Sequence, residues 1–322
     1  MKRSMVLTVM LLLVLGLAQS GLAAPKTIKL AHVVNEKDGF HMAALKFKEL
    51  VEAGSDIIIE VHPNAELGDE RTLLEGMQIG TIDMGVITNG PVSNFYPEIA
   101  VLELPFLFSS NEETYRILDG PIGQELLDNL SKVGLKGLAY AERGFRNLTN
   151  SVRPVLTPED IKGLKIRVME NPVYIDTFKA LGANAVPMAW TEALTAMQQG
   201  TIDGQENPVN VLYAFKLFET QGYMSYTRHT YAPALFVMSM NLFNSLDADT
   251  QKLFKESAQA AAEYERQWDM EKEAEQLAVL KEQGMQVDEP DLTPFKAAVQ
   301  PVYEKYGKKF GKYLTVIQEA LK

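Results

Sequence analysis

Cysteine is absent from the whole 322-residue chain. No disulfide can staple it and no thiol can serve as nucleophile or soft metal ligand, so its stability has to come from a packed core. Histidine is scarce. His32, His41, His62 and His229 are the only four, and none is set from another at the spacing of a helical metal site. There is no glycine-rich phosphate loop, no Gly-x-Ser-x-Gly elbow and no zinc motif. These absences argue against an enzyme, and neither cofactor nor metal is expected. An excess of positive charge is also missing. The formal net charge is −11, which disfavours nucleic acid and anionic membrane surfaces as partners. It does not forbid an anionic ligand, because a pocket has its own local field. Past Leu17 no second long apolar run occurs, so the rest of the chain is expected to be soluble.

What is present begins with a secretory pattern. Lys2 and Arg3 precede an apolar run from Met5 to Leu17, followed by the small residues Gly21, Ala23 and Ala24. The run is too short to span a bilayer as a helix, which needs roughly 20 residues. A signal peptide over residues 1–23, cleaved near Ala23, is expected. No Cys follows that could carry a lipid anchor. Export to the periplasm follows, and without Lys2 and Arg3 the net charge becomes −13.

The remaining chain alternates short β-rich runs with helical stretches. Strands are expected over 28–34, 57–62, 83–88, 135–141, 164–168, 202–206 and 234–241, and helices over 40–53, 69–79, 112–130, 172–181 and 190–199. This alternation argues for an α/β fold with a mainly parallel sheet. Met77-Gln78-Ile79-Gly80-Thr81-Ile82-Asp83 recurs as Met197-Gln198-Gln199-Gly200-Thr201-Ile202-Asp203. Each copy reads as a helix closed by Gly, a short connection and a strand, and the echo hints at two similar lobes. Thr88 and Asn89 in one lobe then correspond roughly to Asn207 in the other, just past strand ends where open α/β sheets bind ligands. From Asp247 to about Gln283 the chain reads as a single helix capped by Asp247 or Asp249 and stopped near Gly284. At 1.5 Å per residue it would span roughly 50 Å, enough to brace both lobes.

A few residues stand out chemically. Arg167 lies in the strand Leu164-Lys165-Ile166-Arg167-Val168, on the face opposite Ile166. A buried unpaired guanidinium is costly, so it needs a protein carboxylate or a ligand anion. From this segment alone a structural ion pair or a solvated strand end is the default. Asn207 ends a strand before Pro208 and can both donate and accept, although Asn before Pro is also a common turn. Trp190 opens a helix, and in isolation it reads as core.

Taken in order, these segments resemble the periplasmic solute receptors of TRAP transporters, the DctP-like family. The landmarks are Glu66-Leu67-Gly68-Asp69-Glu70-Arg71, Leu104-Pro105-Phe106-Leu107-Phe108, Arg146 through Asn150, Gly163 through Val168, and Asp203-Gly204-Gln205-Glu206-Asn207-Pro208. The resemblance implies an α/β fold, a two-lobed periplasmic-binding-protein clamp of type II-like form that the chain crosses twice, with a long helix spanning both lobes. The lobes would comprise residues 24–144 with about 233–268, and residues 145–232 with about 269–322. It implies that Arg167 pairs with the ligand carboxylate, that Arg146 is a second, more variable arginine contact, that Asn207 flanks the carboxylate and that Trp190 lies against the ligand. Glu70, Thr88 and Asn89 would add polar contacts from the first lobe, and His32, Glu170 and Tyr231 are further candidates. The partners implied are TRAP permease subunits and a small organic acid. A C4-dicarboxylate or short hydroxy acid is favoured because both arginines are present. A sugar acid, uronate or aldonate, is the alternative, as is a sensory receptor feeding a membrane kinase. The resemblance also implies a monomer, since most receptors of this kind act as monomers.

Overall fold

The computed structural model describes residues 26–322, so the expected leader lies outside the described residues. The strands are β1 (Thr27–Ala31), β2 (Ile58–His62), β3 (Met84–Thr88), β4 (Leu135–Asn150), β5 (Lys165–Val168), β6 (Asn184–Pro187), β7 (Gly204–Asn207), β8 (Tyr223–Ser239) and β9 (Gln286–Asp288). Two parallel units share one order, β2-β1-β3 and β6-β5-β7. β3 then pairs antiparallel with β8, and β7 antiparallel with β4. β4 and β8 pair with each other from Leu135↔Ser239 to Asn150↔Tyr223, so the chain crosses between the units twice. The result is a two-lobed α/β clamp.

The internal echo is a repeated local structure. Gly80 and Gly200 both adopt positive φ, 81° and 65°, which favours glycine. Asp83 accepts from the Lys29 backbone N–H at 2.8 Å, and Asp203 accepts from the Lys165 backbone N–H at 2.7 Å. Each aspartate therefore ties the third strand of its unit to the first, at the middle of β1 and the start of β5. The apolar residues between them fill the two cores: Ile28, Leu30, Met84 and Val86 in one, Ile166, Val168 and Ala193 in the other, all buried. Burying each larger side chain contributes about 1.5–3 kcal/mol.

The brace is a 35-residue helix, Ala248–Glu282, with the Asp247 side chain accepting from the Thr250 N–H at its start. It packs on the helix Gly39–Gly54, on β4 and on the helix Val209–Ala214, touching both lobes. Among the described residues no helix is long and apolar enough to cross a membrane.

Three expectations need correction. The helix expected over 112–130 is two helices, Asn111–Leu118 and Pro121–Asn129. Pro121 starts the second, and a Cβ on Gly120 would lie 2.6 Å from the Arg116 carbonyl oxygen, so the chain bends there. The strand expected over 135–141 continues to Asn150, and the one expected over 234–241 starts at Tyr223 and ends at Ser239. The extra lengths carry Arg143, Arg146, Asn147, Arg228 and His229. Strand polarity normally alternates, and a stretch that buries polar side chains hides that pattern.

Candidate functional site

The crossing strand is irregular where the lobes meet. Its register against β8 shifts between Glu142 and Gly144 and again between Arg146 and Leu148. Gly144 sits at φ 100°. Bulges of this kind re-aim side chains, and here they turn Arg143 and Arg146 into a cleft between the strand ends of the two units. Glu70, Thr88, Arg146, Arg167, Trp190 and Asn207 line that cleft. The remaining wall is Val33, Val34, Arg143, Met169 and Val211.

The arginines differ in how their charge is met. Arg146, 1% exposed, is committed to Glu206: Nε donates to Oε2 at 2.5 Å and Nη2 to Oε1 at 2.8 Å and to the Glu206 carbonyl at 2.6 Å. Burial works against both charges. The pairing outweighs it, raising the pKa of Arg146 and lowering that of Glu206, which also meets His229 Nε2 at 3.2 Å. Arg143 is likewise held by Asp38, and Arg266 by Asp119. Arg167, 3% exposed, has no carboxylate in salt-bridge range. Its Nε and Nη2 both donate to the Met188 carbonyl, at 3.0 and 2.7 Å. Burial pulls its pKa down to about 10, and Glu206 opposes this only from a distance. Trp190 lies alongside, its ring centroid 5.6 Å from the guanidinium carbon, and its indole Nε1–H has no acceptor. Among the described residues, Arg167 is therefore the cleft arginine without a carboxylate partner.

The other cleft residues supply polar contacts. Glu70 opens the helix Glu70–Ile79, and its Oε1 accepts from the Thr88 backbone N–H at 2.6 Å. Burial raises its pKa. Asn207 donates through Nδ2 to Gln205 Oε1 at 2.5 Å. Glu170 is exposed at the adjoining mouth, and its backbone carbonyl accepts from Asn94 Nδ2 at 2.6 Å, joining the two lobes.

Three candidates are buried and are not part of the cleft lining. His32 is buried with Nε2 3.1 Å from His41 Nδ1, and burial, with His41 next, lowers its pKa to about 3, so it is neutral. Asn89 turns inward and donates to the Ile99 carbonyl at 3.3 Å. Tyr231 packs edge-on against Phe145 and Phe108. Each follows a strand or continues one, as expected, and each is buried. Sequence reading missed Arg143, Asp38 and the apolar wall. A third arginine three residues before Arg146 was the available signal.

The family model for bacterial extracellular solute-binding proteins, family 7 (DctP), matches residues 30–309. The chain belongs to this family. Its members are TRAP periplasmic solute-binding proteins, which bind rather than transform their ligands. A solute-binding protein of Verminephrobacter eiseniae is 44% identical over 79% of this chain and 76% of its own length. A TRAP solute-binding protein from Bordetella, whose structure has density assigned to pantoate, superposes with a TM-score of 0.89 at 42% identity, over 92% of this chain and 99% of that one. A Polaromonas counterpart bound to D-erythronate gives 0.89 at 38% identity, over 91% and 98%. Family 7 membership also accounts for the order of the landmarks from Glu66 to Pro208, which no single motif explains.

Proposed function

We propose that this family 7 protein captures a short hydroxy monocarboxylate in the periplasm and delivers it to a TRAP permease. The observation that carries the proposal is Arg167, the cleft arginine without a carboxylate partner. A ligand carboxylate would complete its fork of donors in a desolvated place where the pair is strong. Asn207, Thr88 and Glu70 offer partners for hydroxyl groups, and Trp190 offers an apolar face. Pantoate and D-erythronate, assigned to the two structural neighbours, are both hydroxy monocarboxylates. The commitment of Arg146 to Glu206 weighs against its taking a second carboxylate, which places a C4-dicarboxylate behind a hydroxy acid.

We also propose the lobe division given above, with the C-terminal helix Gln300–Ala320 seated against both lobes. Tyr306 donates to Asp176 at 2.7 Å on one side and Tyr313 to Glu125 at 2.9 Å on the other.

The test is a thermal-shift screen of organic acids on protein stripped of ligand by unfolding and refolding. Binding to the folded state adds about 2.7 kcal/mol at a hundredfold excess over Kd. Hydroxy monocarboxylates should raise Tm most. A panel in which no carboxylate shifts Tm would refute the reading.

A further inference from the structure

One cation on the cleft wall is used neither by the carboxylate pair nor by the Glu206 pairing. Arg143 is 4% exposed and lines the cleft beside Arg146 and Asn207. Asp38 takes one N–H from each terminal nitrogen, Nη1 to Oδ2 at 3.1 Å and Nη2 to Oδ1 at 2.5 Å. The Phe40 ring lies 3.8 Å from the guanidinium carbon, so the plane is clamped from the side as well as the end. Nε–H has no acceptor. A guanidinium has five N–H donors, so Asp38 leaves three of them unclaimed.

The charge behind Arg143 is the opposite of what an anion site needs. Glu265 and Asp269, on one face of the long helix, bring further buried carboxyls toward the same guanidinium. Glu265 Oε2 accepts from the Glu142 N–H at 2.8 Å and Asp269 Oδ1 from Asn210 at 3.0 Å, while their other oxygens have no donor. Asp38 alone cancels the charge of Arg143. The remaining acids are neutral if protonated and repulsive if not, so no net positive field reaches the cleft from this side. Arg167 also lines the opening beside Glu170 and Thr191, where Arg143 does not reach, and Arg143 lines the one beside Asn210 and Asp269, where Arg167 does not reach. The two arginines therefore stand at opposite ends of the shared cleft.

We infer that Arg143 determines specificity at the end of the ligand remote from Arg167: it donates to a neutral hydroxyl or carbonyl oxygen there, and Asp38 with the acids behind it excludes a second carboxylate. This rests on the hydroxy-acid reading above and assigns its tail.

The experiment is calorimetric titration of two matched sets that differ only at the far carbon. One is erythro-2,3-dihydroxybutanoate, D-erythronate and meso-tartrate; the other is 6-deoxygluconate, gluconate and glucarate. In the wild type the terminal hydroxyl should improve affinity about tenfold over the methyl. The terminal carboxylate should bind more than a hundredfold more weakly. Arg143→Met should bring hydroxyl and methyl ligands within about threefold of each other. Arg143→Lys, which keeps the charge and guards against a folding failure, should lose most of the same preference. Asp38→Asn, which retains an oxygen to cap the helix at Phe40 N, should improve the dicarboxylate about tenfold relative to the hydroxy acid. Equal losses across a set in both Arg143 variants, or wild-type affinity for tartrate or glucarate matching the hydroxy acid, would overturn the assignment. So would an absence of binding by every member of both sets. Arg167→Ala run alongside keeps the two readings apart: affinity unchanged in that variant sinks the carboxylate pair, whereas a loss there with unaltered selectivity in Arg143→Met sinks only the tail.

Discussion

The two parallel units are built alike and end in different chemistry. Lys29 and Lys165 are tethered in the same way, to Asp83 and Asp203. Two residues further along the strand stands Ala31 in the first unit and Arg167 in the second. The helices that run into the echoed segments start with Glu70 and Trp190 respectively. One framework therefore presents a small residue and an acid on one side of the cleft, and a guanidinium and an indole on the other. On the function proposed above, the ligand carboxylate is held by the second unit, while the first adds polar and apolar contacts. A carboxylate held in one lobe would give closure a direction, because the other lobe would move only toward groups already oriented.

The sharpest way to break this comparison is to remove the charge from the second unit. Arg167→Ala should weaken binding of a hydroxy acid by a hundredfold or more, since a desolvated charged pair is worth on the order of 3–5 kcal/mol when one partner is lost. The ligand-free protein should be no less stable, because Arg167 has no carboxylate of its own. Arg146→Ala should do the reverse. It leaves Glu206 buried and unpaired, so urea unfolding should show a loss on the order of 3–5 kcal/mol. Two variants that both lose affinity with unchanged stability would erase the distinction between a free and a committed arginine.

The same distinction marks what could be read before the structure. The strand 164–168 and the helix starts at 70 and 190 were legible because their apolar residues follow the regular periods, and Asp69 caps the first of these helices locally through the Thr72 N–H. Arg167 was legible as a cation on an apolar strand, but its lack of a partner was not, because Asp38, Glu206 and Asp119 reach the other arginines across long stretches of chain. The crossing strands were half legible. Their apolar ends follow strand composition, whereas the bulged middle with Arg143 and Arg146 is buried for electrostatic reasons that no period records. The burial of His32, Asn89 and Tyr231 was not legible, because it depends on packing partners supplied by other elements.

Buried carboxyls offer a second contrast. Glu206 is held low by Arg146, whereas Glu142 is pushed up by burial to about 7. The groups facing Glu142 are Tyr115, whose hydroxyl donates to it, Arg266, Arg143 and Glu273. Glu265 and Asp269 are raised as well, by burial and by the neighbouring acids, against Arg143. A carboxyl whose folded pKa lies above its unfolded value stabilises fully below the unfolded value and loses that contribution as pH rises through the folded one. Urea midpoints should therefore fall between about pH 5 and pH 8, with Glu142 contributing on the order of 3 kcal/mol. Glu142→Gln should flatten the profile. A wild-type midpoint that rises over that interval would contradict the assignment.

The mildest test acts on the framework itself. Asp83→Asn and Asp203→Asn each exchange a charged acceptor for a neutral one at equivalent backbone N–H groups, so each should cost about 1–2 kcal/mol of stability, and by similar amounts. Their effects on binding should differ. Asp203 fixes the start of β5, two residues before Arg167, and loosening that strand should weaken affinity several-fold. Asp83 fixes the middle of β1, which ends in Ala31 and places no charge, so affinity should stay within twofold of wild type. Equal losses of affinity would mean that both units position the carboxylate, and the asymmetry argued from Ala31 and Arg167 would then be one of composition and not of function.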